Sequence, residues 1–446
     1  MMSIATNIYA DDTFEVNGAL YSVSSSSTLA LVGFANKENV RNYKIPETIT
    51  YNTRTMTVTE ISQNAFEDCV NLESLTIPGS INRIAYHRDA GLKGYVTRTF
   101  ANCVKLKKLI FEDSSESLFL PDYEWVKSYH TYERRSLFYD SKVEYLYLGR
   151  NVRYDYRSSN PTHPFQKQYI STVEIGSLVT EIPDYFLYCN EIFKSISFPP
   201  KMTKIGKNAF YGCYNLEKIV FKGNAVTTID DNAFFSCNLK KLELPESLEA
   251  IGNSAFVGCD NIANIIIPDN VTSIGLKAFY GCDNLQNITI GKNVSLIDPE
   301  AFQSCPNIKT IISRIDDPSK CKIYSYYNDP FGSSTYANAI LYVPIGSIEK
   351  YRKHYTWGKF FNIQESAKAT NISINDKGQD NIVLEGDQLK FEGFIPLDII
   401  MLYDADGRLK YESKISTEGT LSVPLYNYPK GIYFVKTKGN VYKFVK

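Results

Sequence analysis

The chain has 446 residues, 43% of them hydrophobic, with a formal net charge of −1 and 33 tyrosines. This composition excludes general disorder, and the balanced charge excludes binding to nucleic acid or to an anionic membrane surface by charge alone. No apolar run approaches the roughly 18 residues of a membrane-spanning helix, so we expect a chain without a transmembrane segment.

We expect the N-terminal segment, residues 1–40, to form a β cap on the open end of the chain's repeats. Ala10 before Asp11 resembles a cleavage site, so we interpret residues 1–10 as the tail of a signal peptide. The basic n-region and long apolar core of such a peptide are lacking, and a plain N-terminus is the alternative. Apolar and polar residues alternate over residues 14–34 around an Asn-Gly pair, which is typical of a β-hairpin.

One phrase then recurs along the chain. IGLKAFYGCDNLQNITI begins at Ile274, and near copies begin at Ile61, Ile205 and Ile251. Its Phe has a Cys three positions later, and the last five Phe-to-Phe steps are 24, 24, 22, 23 and 23 residues. A period of this length is typical of a repeat solenoid. The pairs are Phe66–Cys69, Phe100–Cys103, Phe186–Cys189, Phe210–Cys213, Phe234–Cys237, Phe256–Cys259, Phe279–Cys282 and Phe302–Cys305, with only Cys321 outside the pattern.

Each period predicts one coil of the solenoid. Phe279 would fill the coil, Cys282 and Leu285 follow at a helix-like spacing of three, and residues 288–290 alternate as a strand. The cysteines should therefore form a column. Stacked coils about 4.8 Å apart do not turn Cβ atoms towards each other as a disulfide requires, so we interpret these residues as buried thiols, with disulfides as the alternative.

The phrase I-G-x-x-A-F-x-x-C-x-x-L-x-x-I-x-I-P resembles the BspA-like leucine-rich repeat of bacterial surface proteins. Good copies cover residues 205–312, recognisable copies cover 43–111, and 341–365 resembles the last coil and closing helix of that family. The resemblance implies an α/β leucine-rich-repeat solenoid with a parallel sheet over residues 41–366. It also implies a protein exported to the cell surface or beyond that binds other molecules.

The repeat is irregular between Cys103 and Cys189. Strand patterns persist there, and Phe138 and Phe165 are candidates for the Phe position without the Cys. Insertions are predicted near residues 85–99, 112–136 and 150–164. Long loops in compact repeats often carry function.

Tyr, Trp and Arg side chains are the candidate ligand-binding residues, because these types anchor protein interfaces. The alternative is that they pack the insertions onto the solenoid. Two more tyrosines, at 145 and 147, alternate outward on a strand. The set is Tyr123, Trp125, Tyr129, Tyr132, Arg134, Arg135, Tyr145, Tyr147, Tyr154 and Tyr156.

Alternation also predicts an outward row along the parallel sheet. Four aliphatic residues and a Tyr in this row suggest a mildly apolar face that contacts a partner, unless neighbouring side chains or the insertions cover it. The row is Thr76, Ile110, Tyr147, Glu174, Ser197, Val220, Glu243, Ile266, Thr289 and Ile312.

Residues 367–446 predict a small all-β sandwich of short alternating strands. The words LYDADGRL, PKGIYFVKT and KFVK resemble the type IX secretion sorting domain of Bacteroidota-like bacteria, which implies export and surface attachment or release. Asp404 and Asp406 before Gly407 suggest Ca²⁺, but the rest of an EF-hand loop is lacking, and a hairpin turn explains them better.

No motif of catalysis or cofactor binding is found, and no cofactor, metal or catalytic residue is expected. The leading hypothesis is an exported, non-enzymatic, adhesin-like protein whose solenoid engages a host matrix protein or another surface protein. The alternative is a glycan-binding accessory of a polysaccharide-uptake system, because Tyr and Trp rings stack on sugars. A surface hydrolase with its site in the insertions is a third hypothesis, without supporting residues.

Overall fold

The computed structural model describes most of the chain, and every structural statement below concerns the described residues. Residues 1–7 and 10–12, and hence Ala10 and Asp11, lie outside them. The described residues are 8–9, 13–89, 94–121, 125–128, 131–154, 163–166, 168–323, 329–366, 369, 382–385, 388–391, 399–404, 406–414, 421–436 and 441–445.

Two compact units divide the chain: residues 1–262 with 275–282, and residues 263–274 with 283–446. Short strands dominate the first unit. In chain order they are β1 (Ile8–Tyr9), β2 (Thr13–Val16), β3 (Ala19–Val23), β4 (Thr28–Phe34), β5 (Asn42–Lys44), β6 (Thr48–Tyr51), β7 (Arg54–Ile61), β8 (Ser74–Ile77), β9 (Arg83–Ile84), β10 (His87–Asp89), β11 (Gly94–Val96), β12 (Lys108–Phe111), β13 (Leu118–Phe119), β14 (Trp125–Ser128), β15 (Thr131–Arg134), β16 (Tyr145–Leu148), β17 (Val152–Arg153), β18 (Thr172–Ile175), β19 (Glu181–Ile182), β20 (Ser195–Phe198), β21 (Lys204–Ile205), β22 (Lys218–Phe221), β23 (Thr228–Ile229) and β24 (Ala250–Ile251). A 3-10 helix spans Lys37–Asn39.

The N-terminal strands form a sheet in the order β1-β2-β3-β4-β7-β6, with β9 also paired to β7. The predicted hairpin is confirmed: β2 and β3 are antiparallel around Asn17 and Gly18, both at positive φ as a tight hairpin turn requires. Strand β7 pairs in parallel with β4 on one side and β9 on the other. The hairpin sheet therefore continues directly into the first repeat strand.

Five repeat strands of the first unit form a parallel sheet in the order β18-β16-β12-β8-β5. Its neighbours pair in exact register, as for Ile110 with Tyr147 and Tyr147 with Glu174. Leu146 and Leu148 are buried, while Tyr145 and Tyr147, which alternate with them, face outward. Parallel pairing follows because every coil returns the chain to the same starting side.

Shorter parallel ladders run through the other side of the coils. The order β19-β21-β23-β24 joins two-residue strands of successive repeats, and β13 pairs with β17. A separate four-residue parallel pair, β20 with β22, carries Ser197 and Val220 of the predicted outward row and therefore belongs with the longer repeat strands. The insertions carry antiparallel hairpins of their own, β10–β11 and β14–β15. The first unit is thus built from parallel strands interrupted by short antiparallel additions.

A column of Phe rings fills the coils. Phe210, Phe234, Phe256 and Phe279 stack at centroid distances of 5.3, 5.5 and 5.1 Å, with interplanar angles of at most 8°. The rings of Phe100, Phe138 and Phe165 also stack, at 4.9 and 5.9 Å. This confirms that residues 138 and 165 occupy the Phe position without a Cys.

All nine cysteines are free, as expected. Cys237 and Cys259 show why a small donor suits their position, because each Sγ–H donates to the carbonyl of the preceding coil's Phe, at 3.2 and 3.3 Å. Burial raises the pKa of Cys259 to about 12. Such thiols are packing residues and not nucleophiles or metal ligands.

The predicted pair Phe186–Cys189 is wrong by one residue. The Cys213 Sγ–H donates to the carbonyl of Leu187. The amide of Leu187 donates to the carbonyl of Ala209, and in the next coil the amide of Phe210 donates to the carbonyl of Ala233 in the same way. Leu187 therefore occupies the Phe position and Asn190 the Cys position. Cys189 stands at positive φ and is exposed, where Gly212 stands in the next coil. The five-residue step from Ile182 to Leu187, equal to that from Ile205 to Phe210, was the sequence signal.

The second unit continues with parallel strands, two short α-helices and the C-terminal strands. In chain order they are β25 (Asn264–Ile266), β26 (Ser273–Ile274), β27 (Asn287–Ile290), β28 (Leu296–Ile297), β29 (Thr310–Ser313), β30 (Lys322–Ile323), α1 (Ser333–Asn338), β31 (Ile340–Val343), α2 (Ile348–Lys353), β32 (Asn362–Glu365), β33 (Ile382–Glu385), β34 (Gln388–Phe391), β35 (Ile399–Asp404), β36 (Leu409–Lys414), β37 (Leu421–Pro424), β38 (Ile432–Lys436) and β39 (Val441–Val445). Short 3-10 helices span Pro318–Lys320 and Trp357–Lys359.

Repeat strands of this unit form a parallel sheet in the order β25-β27-β29-β31-β32 and a second ladder in the order β26-β28-β30. Tyr351 of α2 is fully buried and its hydroxyl bonds Ser313 at 2.6 Å, which ties the helix to β29. Many parallel strands and few helices make this a leucine-rich-repeat type of fold.

The C-terminal strands form two antiparallel sheets, β33-β34-β37 and β36-β35-β38-β39. Ile345, Tyr403 and Phe434 form one small buried cluster, so these strands pack on the segment that follows β31. Asp404 is occupied by its own turn: Oδ1 accepts from the amides of Asp406 and Arg408, and Oδ2 lies 3.0 Å from Lys410 Nζ.

Candidate functional site

Six of the ten predicted binding residues lack a described side chain. Tyr123, Tyr129 and Tyr156 lie outside the described residues altogether. For Trp125, Tyr132 and Arg134 only the backbone is described. It forms the hairpin β14–β15, in which Trp125 pairs with Arg134 and Lys127 with Tyr132. The structure therefore places these three on one hairpin of the 112–136 insertion.

Arg135 is held within its own loop. Its guanidinium lies 4.7 Å from the ring centroid of Tyr139, and Nη1 lies 3.9 Å from Asp140 Oδ1. The other Asp140 oxygen accepts the amide of Asn102 at 3.0 Å. These contacts favour the packing alternative for this residue.

Tyr145 and Tyr147 lie on the outward face of the parallel sheet, as predicted. Both are partly exposed, as are Ile110 beside Tyr147 and Thr76 on the next strand beyond Ile110. Every residue of the predicted outward row is partly or fully exposed, which confirms the alternation. We call the outward residues of β5, β8, β12, β16 and β18 the tyrosine face.

Tyr147 is fixed by a hydrogen bond in which its hydroxyl donates to Asp113 Oδ1 at 2.8 Å. Burial and this carboxylate raise the pKa of Tyr147 to about 12, so the hydroxyl stays protonated. Glycines make room for the pair: a Cβ at Gly176 would lie 2.9 Å from the Tyr147 hydroxyl, and one at Gly149 would lie 2.6 Å from Asp113 Oδ1. The ring is thus oriented before any partner arrives.

Tyr145 lies two positions before Tyr147 on the same strand and adds a second ring to this face. Lys108 Nζ lies 4.9 Å from its ring centroid, a cation–π distance. Burial, followed by the nearby charge of Glu174, raises the pKa of Tyr145.

A charged pair borders Tyr145: Lys107 Nζ lies 3.0 Å from Oε1 of Glu144, the residue before Tyr145. A second pair on the same sheet, Lys44 Nζ with Glu112 Oε1 at 2.5 Å, joins the end of β5 to the residue after β12. An aromatic centre with a charged, solvated rim is the usual composition of a protein-binding surface.

Tyr154 lies elsewhere, at a groove beside β17 and β19. The groove holds about 600 Å³, and its lining residues are Phe119, Arg153, Tyr154, Glu181, Ile182, Pro183, Asp184 and Lys204. The Tyr154 hydroxyl is buried without a hydrogen-bond partner among the described residues. Burial, followed by the charge of Asp184, raises the pKa of Tyr154 well above its ordinary value.

A second aromatic surface was missed at the sequence level. Tyr188, Tyr211 and Phe235 follow the Phe position in three successive coils, and their rings stack at 5.0 and 4.6 Å. All three are partly exposed. The signal was an aromatic residue directly after the Phe position in consecutive repeats, which the offset at Phe186 obscured.

Neither a metal cluster nor a membrane span is seen in the described part of the chain. It contains no group of three or more His, Cys, Asp or Glu side chains arranged to hold an ion. No helix within it combines the length and apolar character needed to cross a membrane.

Solved structures with related folds come from several bacteria. A leucine rich cell surface protein from Faecalibacterium prausnitzii is 16% identical, covering 80% of this chain and 96% of its own, with a TM-score of 0.33. A leucine-rich repeat protein from Bacteroides ovatus is 19% identical, with coverages of 79% and 99% and a TM-score of 0.32. The pneumococcal vaccine antigen PcpA is 18% identical, covering 78% of this chain and 96% of its own, with a TM-score of 0.30. No curated protein matches in sequence.

The profile of the BspA type leucine rich repeat region, in six copies, matches residues 12–119, 138–227 and 227–328. The matched segments are those that form the Phe column and the parallel strands, and they amount to more than half of the chain. The chain therefore belongs to the BspA-type leucine-rich repeat family.

Proposed function

We propose that this chain is an exported, non-enzymatic, adhesin-like binding protein whose solenoid engages a host matrix protein or another surface protein through the tyrosine face. One observation carries the proposal: Tyr145 and Tyr147 stand partly exposed on a rigid parallel sheet, with Tyr147 oriented by Asp113. A preoriented ring loses little conformational entropy when it is buried by a partner.

The charged residues beside the two tyrosines favour a protein partner with a polar surface over a purely apolar partner. Lys108, at a cation–π distance from Tyr145, and Glu174, whose charge raises the pKa of Tyr145, place both signs of charge beside this ring. Mixed charge at a rim favours orientation and partner choice, while the central aromatic residues supply most of the binding free energy.

Export to the bacterial cell surface is part of the proposal. Membership in the BspA-type leucine-rich repeat family supports it, as does the resemblance of residues 367–446 to a type IX sorting domain. On this proposal the C-terminal strands, which form a small β-sandwich, serve attachment or release, and the repeats serve binding.

The test is binding of the intact chain to arrayed matrix and surface proteins, followed by affinity measurements on the strongest partner. Tyr145→Ala and Tyr147→Ala should each weaken binding by roughly 30-fold, the effect of losing about 2 kcal/mol at an anchor residue. Tyr342→Ala is the matched control, because Tyr342 holds the equivalent strand position in the sheet of the second unit. Unchanged affinity in both tyrosine variants, with folding intact, would move the site away from this face.

A further inference from the structure

The net charge of −1 for the whole chain conceals a basic stretch in the repeats. Residues 194–223, all of them described, contain six lysines, no arginine and one acidic residue, Glu217. This stretch includes β20 and β22, which pair in parallel. These two coils therefore carry a local positive charge that the chain as a whole does not show.

Four of the six lysines form no ion pair among the described residues. The other two, Lys204 and Lys207, are paired with aspartates of the next coil at 3.0 and 3.7 Å. The one acidic residue, Glu217, is already bound by Lys240 at 2.6 Å. The four remaining lysines are all exposed, and we call them the lysine face: Lys194, Lys201, Lys218 and Lys222.

A like-charged pair lies at the start of β22. Lys218 is directly opposite Lys241 of the next coil, and like charges in this arrangement destabilise a sheet. Lys241 is compensated by Glu243, whose Oε1 lies 2.5 Å from the lysine Nζ, but Lys218 has no such partner among the described residues. An anion bound at Lys218 would remove the remaining repulsion.

A second like-charged pair lies at the other end of these strands. Lys222 directly follows β22, and Lys201 lies in the loop after β20. The two loops touch, because a Cβ at Gly223 would lie 2.4 Å from the Cα of Pro200. Each lysine is the sequence neighbour of this contact, so the backbone brings two cationic side chains to one place.

The two ends of the lysine face are separated by the length of a four-residue strand, about 13 Å at 3.3 Å per residue. The outward positions between them hold Ser195, Ser197 and Val220, all at least partly exposed. A single phosphate or carboxylate cannot reach both ends. A chain of repeated anionic groups can contact the whole face.

The residues between the cations favour a polysaccharide over other polyanions. Protein interfaces are anchored by aromatic residues and Arg and are poor in Lys. Single-stranded nucleic acids and membrane surfaces are likewise bound with aromatic or apolar side chains. Here the positions between the cations are two serines and a valine, and serine hydroxyls can bond the hydroxyls of a sugar chain.

We propose that the lysine face binds a sulfated polysaccharide. Its sulfates contact the lysines at both ends of β20 and β22, and its hydroxyls bond Ser195 and Ser197. The site shares no residue with the tyrosine face. Tyr145→Ala and Tyr147→Ala should therefore leave it unchanged, and failure of this proposal is distinguishable from failure of the proposed protein-binding function.

The experiment is isothermal titration of the full chain with a heparin decasaccharide. Saturable binding is expected, and its Kd should rise at least tenfold between about 50 and 200 mM salt, because salt screens exposed charges. Lys218→Gln and Lys222→Gln should each raise Kd about fivefold. Lys353→Gln, which removes an exposed lysine of α2, is the charge-matched control and should bind like the unaltered chain.

Folding is checked by thermal unfolding of each variant. Lys218→Gln should be at least as stable as the unaltered chain, because it removes a like-charged contact. Polyglutamate, duplex DNA and vesicles of equimolar phosphatidylserine and phosphatidylcholine are the competing polyanions. The proposal is overturned if heparin does not bind, if Lys218→Gln and Lys222→Gln bind it as Lys353→Gln does, or if a competing polyanion binds more tightly than heparin.

Discussion

The regular and the irregular repeats of the first unit meet the same structural demand with different residues. In the regular coils, the Cys237 Sγ–H donates to the carbonyl of Phe210 at 3.2 Å. In the irregular part, Gln168 takes the Cys position, and its Nε2 donates to the carbonyl of Phe138 at 2.7 Å. Gln168 Oε1 also accepts the amide of Val143 at 2.9 Å.

This difference shows what the position requires. The buried site must remain filled, and a side-chain donor can reach the carbonyl of the preceding coil, as Cys237 and Gln168 do, but such a donor is not obligatory, since the Ser141 hydroxyl is buried without a partner among the described residues. Ser141 holds the same position in its coil, where its amide bonds the Phe138 carbonyl at 3.0 Å. Gln168, Ser141 and Asn190 thus replace Cys in three coils of the irregular part, whereas Cys103 keeps the regular bond to the Phe66 carbonyl.

The ring column differs in the same way. Rings of the regular coils are nearly parallel, whereas Phe186 meets both Phe165 and Phe210 edge-on, at 81° and 86°. Because Leu187 occupies the Phe position, Phe186 fills the space that Ala209 holds in the next coil. Aromatic rings therefore fill the core without a gap, but the parallel stacking of the rings is interrupted at Phe186.

The largest expected effect comes from removing a ring of the regular column. Phe256 is fully buried between Phe234 and Phe279, so Phe256→Ala should lower the free energy of unfolding by about 3–5 kcal/mol. Urea unfolding measures this change. Phe361→Ala is the control, because this ring is 86% exposed and its loss should change stability by less than about 0.5 kcal/mol.

In the irregular part, Gln168→Ala should lower the free energy of unfolding by about 2–4 kcal/mol. The substitution leaves the buried amide of Val143 without its partner and removes one of the two hydrogen bonds to the carbonyl of Phe138. Gln166→Ala provides a matched control with a partly exposed side chain. A loss equal to that of the control would show that the Cys position needs no donor in this coil.

The edge-on ring can be tested by restoring the regular pattern. Leu187→Phe alone should destabilise the chain by about 1–3 kcal/mol, because Phe186 already fills the adjacent space. Combining it with Phe186→Ala recreates the Ala-Phe pair of the next coil and should recover most of that loss. Thermal unfolding of the single and double variants measures the recovery. A double variant less stable than the single one would contradict the one-residue shift.

The last expected effect is a dependence of stability on pH in the irregular part, which is absent near neutral pH and grows gradually towards acid. His163 is buried, and burial lowers its pKa from 6.5 to about 3. The unfolded state therefore binds the proton first, so stability should fall as pH drops below about 6.5, by about 1.4 kcal/mol per pH unit until the folded-state pKa is reached. Stability curves of His163→Leu and the unaltered chain, compared between pH 7 and about 4, should diverge towards acid. Parallel curves would show that His163 is solvated.

Local spacing was sufficient for the coil itself. The Phe-x-x-Cys pairs, the alternation over residues 288–290 and the Asn-Gly hairpin predicted the repeat, the outward row and the N-terminal hairpin. These features depend on the position of a residue within its own coil, and side-chain direction along a strand or a turn is a property of neighbouring residues.

Contacts between coils needed the tertiary structure. The place of Gln168 in the Cys position, the shift at Leu187, the pairing of Tyr147 with Asp113 and the groove at Tyr154 each depend on a residue at least 20 positions away. Insertions of different length separate those partners in the irregular repeats, so the sequence period no longer aligns them. The sequence by itself determined what each coil buries and exposes, and only the stacking of coils decided which exposed residues meet, because that depends on register between distant segments.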